Sequence, residues 1–279
     1  MLSLHTNNAA LSAQNSLSQT QSKLTNSMTR LSTGFRINSA ADDAAGLQIA
    51  TRLKAQTSGM ATAMRNTQNA TSMIQTAGGA LAEIKNMLIR MKDLATQAAD
   101  GASSSDDRTA LKAEFDDLTK EIANVLGNTT YAGTKLLNTN GFADATNKVK
   151  FQIGATKDET MEVDVSANVK TLNDDSAATK LKFTTQAEAG DMIKSTSDLI
   201  DVVSKVDSAL GAAANRLEHV HNNLANISAN TKAATGRIMD TDFATESANM
   251  TTNQMLTQAG TAMLKQSNSM SSMVMSLLQ

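Results

Sequence analysis

The chain has 279 residues, of which 41% are hydrophobic and only 3% aromatic, and its formal net charge at pH 7 is −2. It has no cysteine, which excludes disulfides and thiolate metal sites, and its near-neutral charge gives no reason to expect nucleic acid as a partner. It has no run of 18 apolar residues that would predict a membrane span. Because proline is also absent, long uninterrupted helices are possible.

The N-terminal segment has apolar residues at helical spacing but very little charge. A weak seam is formed by Leu17, Leu24, Met28 and Leu31, and only two charged side chains occur before residue 36. A solvated helix normally carries charge on its exposed face, so we expect this segment to gain stable order only against other helices. It also lacks the pattern of a cleaved signal peptide, so any export is expected to use another route.

Two breaks between helices are predicted at similar distances from the two ends of the sequence. Ser39 and Asp42 are spaced as a capping pair at a helix start. Further along, Gly236 suits a helix stop, and Asp240 or Asp242 suits a restart. The two breaks indicate a boundary between a terminal domain and a central domain.

Three segments of the central region carry the three- and four-residue apolar spacing that is typical of packed helices. They lie at 74–95, 111–125 and 199–227. The polar turn at 100–107 predicts that the first two helices fold back as an antiparallel pair, and the third helix would complete a bundle. Gly78–Gly79 lies within the first seam and predicts a close contact between helices.

The helical spacing is interrupted between residues 127 and 190. Apolar and polar residues alternate at 149–153 and at 161–165, which predicts the two strands of a hairpin. The expected fold is therefore mainly α: an elongated, antiparallel, coiled-coil-like helical bundle with long terminal helices and a small β-hairpin region at about 149–165.

The C-terminal segment repeats the features of the N-terminal one. Its seam consists of Leu256, Met263, Met270, Val274 and Leu277, and a single charged side chain follows residue 246. We predict that the two seams are assembly surfaces, loosely ordered in the free subunit and ordered when packed against each other and against further copies. The alternative is a pair of flexible polar tails without a role.

No arrangement of side chains in the sequence predicts catalysis. His219 and His221 are two positions apart and would lie on different faces of a helix. No HExxH, GxSxG or phosphate-binding-loop motif is present. The acidic pairs at 106–107 and 116–117 are interpreted as solvated helix faces. We therefore expect no enzyme activity, no metal and no cofactor.

Several stretches of the sequence resemble bacterial flagellins, the subunits of the flagellar filament. The clearest are RLSTGFRINSAADDAAG at 30–46, FQIGATKDET at 151–160 and RIMDTDFATESANM at 237–250. The resemblance implies a short form without variable outer domains, which polymerises into the filament for motility. Residues 1–42 and 238–279 would form the inner, channel-lining domain, and residues 43–237 the rod-like outer-tube domain.

The same resemblance implies partners and a location. Flagellins leave the cell through the flagellar type III export channel, an export chaperone covers their C-terminal helix, and hook-junction and filament-cap proteins contact the extracellular filament. Arg90, Leu94 and Glu114 match positions that a vertebrate Toll-like receptor recognises in some flagellins. Alternatively, these residues serve packing and subunit contacts alone.

Other functions remain open at the level of sequence. A hook–filament junction protein or a type III secretion translocator would share the helical ends and the export route, although the hairpin and both terminal motifs favour a flagellin. A membrane-active helical protein usually has a basic polar face, which these nearly uncharged ends lack.

Overall fold

The computed structural model of the chain describes residues 7–138, 141–144, 146, 148–176 and 180–276, with side chains described as far as residue 270. Within that part, the chain forms six α-helices and two two-stranded antiparallel sheets. In chain order the elements are α1 (Asn8–Thr33), α2 (Ala44–Ala98), α3 (Ser105–Asn128), β1 (Thr130–Tyr131), β2 (Thr134–Lys135), β3 (Val149–Gln152), β4 (Thr160–Val163), α4 (Ser166–Asp175), α5 (Gln186–Met239) and α6 (Phe243–Ser276). The prediction of a mainly α fold with a small mid-chain hairpin is confirmed.

The chain divides into two compact units. One unit consists of the residues up to 57 and from 229 onwards, and the other of residues 58–228. The division falls within α2 and α5, whereas the breaks between helices lie at 34–43 and 240–242. The predicted domain limits at residues 42/43 and 237/238 concern the assembled filament, and they stay a prediction.

The unit of residues 58–228 is held together by large apolar side chains on α2, α3 and α5. Within this unit α5 runs antiparallel to α2, because Thr67 lies beside His221 whereas Ala99 accepts a hydrogen bond from Gln186. The side chains with no exposed surface include Leu81, Ile84, Leu88, Ile122, Val206 and Leu217. Full burial of one such side chain contributes about 1.5–3 kcal/mol, so this unit has a conventional apolar core.

Local polar contacts set the turn between α2 and α3. Ser104 caps α3 by accepting the N–H of Asp107, and the carboxylate of Asp107 accepts the N–H of Ser104 in return. Hydrogen bonds from the Ser104 side chain and backbone hold the pKa of Asp107 below its usual value. Deeper in the unit, the rings of Phe115 and Phe183 meet edge to face at 5.2 Å.

The hairpin of β3 and β4 lies against α2. Phe151 pairs with Met161 in the antiparallel register, and the turn of the hairpin brings Ala155 next to Gly59 of α2. A Cβ atom at Gly59 would lie 2.7 Å from the Cβ of Ala155 and 3.3 Å from its Cα. The glycine is therefore required by the close approach of the hairpin, because any larger residue would push the turn away.

Two short elements lie where no regular structure was predicted. Strands β1 and β2 form a hairpin whose turn holds Ala132 at φ 49° and Gly133 at φ 83°. Helix α4 buries Val169 and Leu172. Each of these elements is too short to produce a recognisable period in the sequence.

Two predictions about glycines are wrong. A Cβ atom at Gly79 would meet no atom within 4 Å, and one at Gly78 would meet only Asp207 Oδ1 at 3.9 Å, so no helix packs closely there. Gly236 does not stop its helix, because α5 continues to Met239. The restart at Asp242 is correct: its carboxylate accepts N–H groups of the first turn of α6.

We predict opposite effects on stability for alanine at two glycines of α2. Gly79→Ala should stabilise unit 58–228 by about 0.5–1 kcal/mol, because alanine is the better helix former and the site is open. Gly59→Ala should be less stable than Gly79→Ala by about 1–3 kcal/mol, because the added methyl group collides with the hairpin. Urea unfolding followed by circular dichroism measures the free energy of unfolding of both variants. Equal values would contradict the close packing of the hairpin against Gly59.

Candidate assembly surface and recognition site

Helices α1 and α6 form an antiparallel pair in which Cα atoms of the two helices come within 8 Å of each other. Along the pair, Asn7 contacts Ser267, Leu17 contacts Gly260 and Arg30 contacts Glu246. Because the residue numbers rise along α1 as they fall along α6, these three contacts define one continuous register.

The facing sides of the two helices carry many small or polar side chains. The buried and half-buried positions on α1 include Ala13, Leu17, Thr20, Leu24, Ser27 and Leu31. Those on α6 include Met250, Asn253, Thr257, Gly260, Leu264 and Ser267. Side chains at the contact set the distance between helix axes, so glycine, serine and threonine allow this close approach. Most of the predicted N-terminal seam thus faces α6, although Met28 is 46% exposed.

The predicted C-terminal seam lies outside the contact with α1. Leu256, Met263 and Met270 are 53%, 66% and 57% exposed. They are spaced seven residues apart, so they lie on one side of α6, which we call the α6 line. Leu256 and Met263 each precede an inward-facing residue by one position, which rotates the line about 100° from the contact. Of the remaining seam residues, the side chain of Val274 and the whole of Leu277 lie outside the described residues.

An ion pair that was not predicted lies within the α1–α6 contact. Arg30 Nη1 is 3.8 Å from Glu246 Oε2, and Glu246 is only 7% exposed. A carboxylate at such a position requires a charged or hydrogen-bonding partner. The signal was present in the sequence, because Arg30 and Glu246 are opposite charges in segments that otherwise have very few.

The turn after α1 and the turn before α6 bind each other through their backbones. The N–H of Arg36 donates to the carbonyl of Met239 at 2.6 Å, and the N–H of Thr241 donates to the carbonyl of Gly34 at 3.0 Å. The guanidinium of Arg36 also donates to the carbonyl of Ile238 at 2.9 Å. Gly34 has φ 74°, a left-handed conformation that glycine adopts without strain.

The prediction that Ser39 caps α2 is wrong. The carboxylate of Asp42 accepts the N–H groups of Asn38 and Ser39 and the Ser39 hydroxyl, which closes a turn before the helix. These hydrogen bonds, that of the Ser39 backbone first, hold the pKa of Asp42 below its usual value. Asp43 provides the cap instead, because its Oδ1 accepts the N–H of Gly46 at 2.8 Å.

The three residues predicted for receptor recognition occupy two different environments. Arg90 on α2 reaches Glu114 on α3 through two nitrogens, at 2.8 Å and 2.7 Å from the same carboxylate oxygen. Both side chains are about half exposed. Leu94 is fully buried in the apolar core, so its side chain has no surface to offer a partner. The recognition role of Arg90, Leu94 and Glu114 stays a prediction.

The described residues contain no group of three or more histidines, cysteines or carboxylates that could hold a metal ion. A groove of about 530 Å³ is lined mainly by threonine, serine and glutamine side chains of α2, and by Glu218 and His221 of α5. His221 Nδ1 lies 3.3 Å from the hydroxyl of Thr67, which itself donates to the carbonyl of Met64. The position of His221 is therefore accounted for by a hydrogen bond with Thr67, whose direction is set by the tautomer of the ring. Over the described helices, none combines the length and hydrophobicity of a membrane span.

Comparison with known proteins identifies the family. The model of the bacterial flagellin N-terminal helical region matches residues 4–141, and that of the C-terminal helical region matches residues 193–278. A flagellin of Halalkalibacterium halodurans is 39% identical over 253 residues, which cover 90% of each chain. The chain belongs to the bacterial flagellin family. A flagellin of Listeria monocytogenes matches it at 33% identity over 99% of both chains, so members of similar length occur in the family.

The family assigns the chain a structural role in the flagellum. It is a subunit that polymerises into the flagellar filament and supports motility. Among solved structures, a protein from Vibrio parahaemolyticus described as flagellar hook-associated aligns with a TM-score of 0.56 over 71% of this chain and 100% of its own. At 16% identity it shows a shared fold, and it does not favour the alternative of a junction protein.

We predict that the Arg90–Glu114 pair contributes little to stability, whereas Leu94 contributes much. Arg90→Ala and Glu114→Ala should each change the free energy of unfolding by less than about 1 kcal/mol, because both side chains are half exposed. Leu94→Ala should cost about 2–5 kcal/mol because it leaves a cavity in the core. Denaturant unfolding of the three variants tests this; a loss above 2 kcal/mol for Arg90→Ala would make the pair a structural element.

Proposed function

We propose that the α6 line, Leu256, Met263 and Met270, is a surface on which copies of this chain meet in the filament. The observation that carries the proposal is the exposure of more than half of each of these side chains in one subunit. Large apolar groups gain free energy when covered, at about 25 cal/mol per Å². In a filament, each subunit makes the same contact with the next copy of the chain. When this repeated contact does not close into a ring, it builds an open helical filament.

We further propose that residues 1–42 and 238–279 act as the inner, channel-lining domain of the filament and residues 43–237 as the outer-tube domain. The breaks between helices at 34–43 and 240–242 support this assignment. The backbone hydrogen bonds between these two turns support it as well, because they join the chain as it enters and leaves the inner domain.

The partners of the family complete the proposal. An export chaperone would cover the C-terminal helix before assembly, because the exposed α6 line needs protection from premature contacts. The chain would then pass through the flagellar type III export channel to the cell exterior, where hook-junction and filament-cap proteins would guide its addition to the filament.

The assembly role of the α6 line is tested by making it polar. Leu256→Gln combined with Met263→Gln should raise the critical concentration for seeded polymerisation about tenfold or more, because two amide side chains would be buried without designed partners. Sedimentation and electron microscopy provide the readout.

The matched control changes two exposed residues on another side of α6, Gln254→Ser with Gln258→Ser, and should polymerise like the parent. Circular dichroism checks that each free subunit keeps its helices. If the Leu256/Met263 variant polymerised at the concentration of the parent, the α6 line would not be an assembly surface.

We also propose that the Arg90–Glu114 pair is a contact site for a vertebrate flagellin-sensing Toll-like receptor. The pair is half exposed and fixed by two short contacts, so it offers a rigid charged feature on the surface of the free subunit. The buried Leu94 would support α2 beneath it without touching the receptor.

The receptor proposal is tested with two matched double variants. Arg90→Ala with Glu114→Ala should reduce receptor signalling by the monomer at least about tenfold, because the fixed pair is lost. The control removes another exposed ion pair of α3, Asp117→Ala with Lys120→Ala, whose side chains lie 2.8 Å apart. Equal signalling by both variants, with helix content unchanged, would reject the proposal.

A further inference from the structure

Methionines form part of the α6 line, and their exposure differs sharply from that of the methionines in the apolar core. Met263 and Met270 are 66% and 57% exposed, whereas Met91 and Met161 in the core are at most 2% exposed. Oxidation of methionine requires access of the oxidant to the sulfur. The two sulfurs of the α6 line are therefore open to attack in the free subunit, and core methionines are shielded.

We propose that Met263 and Met270 form an oxidation-sensitive site that controls assembly, so that a subunit oxidised at these residues cannot enter the filament until it is reduced. The inference rests on the proposed role of the α6 line as an assembly surface. In this inference, peroxides modify the α6 line by oxidising its methionines, and sulfoxide-reducing enzymes reverse the modification.

The modification is a two-electron oxidation by hydrogen peroxide. The thioether sulfur attacks one peroxide oxygen, a sulfur–oxygen bond forms, and the oxygen–oxygen bond breaks. The departing hydroxide takes the proton from the transferred oxygen and leaves as water, so one methionine and one peroxide give one sulfoxide and one water. A thiol-dependent methionine sulfoxide reductase reverses the step by removing the oxygen as water while two thiols become a disulfide.

The physical effect follows from where the oxygen is added. Methionine is a flexible apolar side chain that adapts to irregular contacts, whereas its sulfoxide is polar and an acceptor of hydrogen bonds. Burying that acceptor against an apolar surface of a neighbouring copy leaves it without a partner, which opposes association. Inside a formed filament the same sulfurs would be covered. Peroxide would therefore oxidise free subunits and spare subunits that are already assembled.

Met255 provides an internal control for exposure alone. It is 59% exposed, but it lies one position before Leu256 and so points about 100° away from the α6 line. Peroxide should therefore oxidise Met255 as readily as Met263. Its oxidation should have little effect on assembly, because its side chain lies off the proposed contact.

The test compares the full chain with two variants, each measured before and after treatment of the free subunit with hydrogen peroxide. One variant is Met263→Leu with Met270→Leu, and the other is Met255→Leu. Peptide mass spectrometry gives the fraction of sulfoxide at each methionine, and seeded polymerisation gives the critical concentration. Each untreated variant is the reference for its own treated sample.

In the parent and in Met255→Leu, oxidation should raise the critical concentration about tenfold or more, and a methionine sulfoxide reductase should restore the original value. In the Met263/Met270 variant the ratio of treated to untreated critical concentration should stay near one, although Met255 is oxidised. Pre-formed filaments should oxidise at Met263 and Met270 at least about tenfold more slowly than free subunits.

The outcomes separate this inference from the assembly proposal. Normal polymerisation of the fully oxidised parent, or an equal loss in the Met263/Met270 variant, would overturn the oxidation site and leave the α6 line open as an assembly surface. The Leu256→Gln/Met263→Gln experiment tests the surface itself without any oxidant. If that variant polymerised at the concentration of the parent, both proposals would lose their basis.

Discussion

The close pairing of α1 with α6 is the contact on which the terminal unit depends. Small side chains such as Gly260, Ser27 and Ser267 lie between the two helices, and they let the backbones approach. Leu17, Leu24 and Leu31 add apolar area to the contact, but they are only half-buried, so its contribution to stability is limited. Large apolar residues of α6 are left exposed in the single subunit, where a second copy would cover them in the proposed assembly.

The unit of residues 58–228 has the reverse arrangement. Leu81, Ile84 and Leu88 of α2 have no exposed surface, and residues of α3 and α5 pack against them. This unit stabilises itself through its own core. The two units therefore suit different roles. Residues 58–228 are folded by contacts within the chain, whereas the terminal unit exposes apolar residues that a neighbouring subunit would cover.

The sequence predicted the long helices and the hairpin well, because each repeats its apolar spacing over many residues. It did not predict which side of α6 meets α1, because periodicity identifies an apolar side and does not say what covers it. The C-terminal seam at Leu256, Met263 and Met270 was correctly identified as apolar, but within one subunit α1 takes the neighbouring side, which includes Gly260. The burial of Leu94 was not foreseen either, since it depends on how α2, α3 and α5 come together.

The errors at helix ends have a similar cause. Glycine is common at a helix stop, but α5 continues for three residues beyond Gly236. Backbone hydrogen bonds of Met239 and Thr241 with the turn after α1 determine where the chain leaves the helix. Ser39 and Asp42 likewise bind each other in a turn, and the cap falls to Asp43. Local sequence signals compete with contacts from distant parts of the chain, and these contacts are invisible to a pattern read along one segment.

The Arg30–Glu246 pair connects these points, because it fixes both the register and the rotation of α6 against α1. A buried carboxylate without its cation is costly, so a slip of α6 by one helical turn would separate the charges and leave Glu246 without its partner. With Glu246 held beside Arg30, and Gly260 beneath Leu17, the rotation of α6 is determined at two points. Leu256 and Met263 must then lie outside the pair, so the position of the proposed assembly surface follows from a contact within the single subunit.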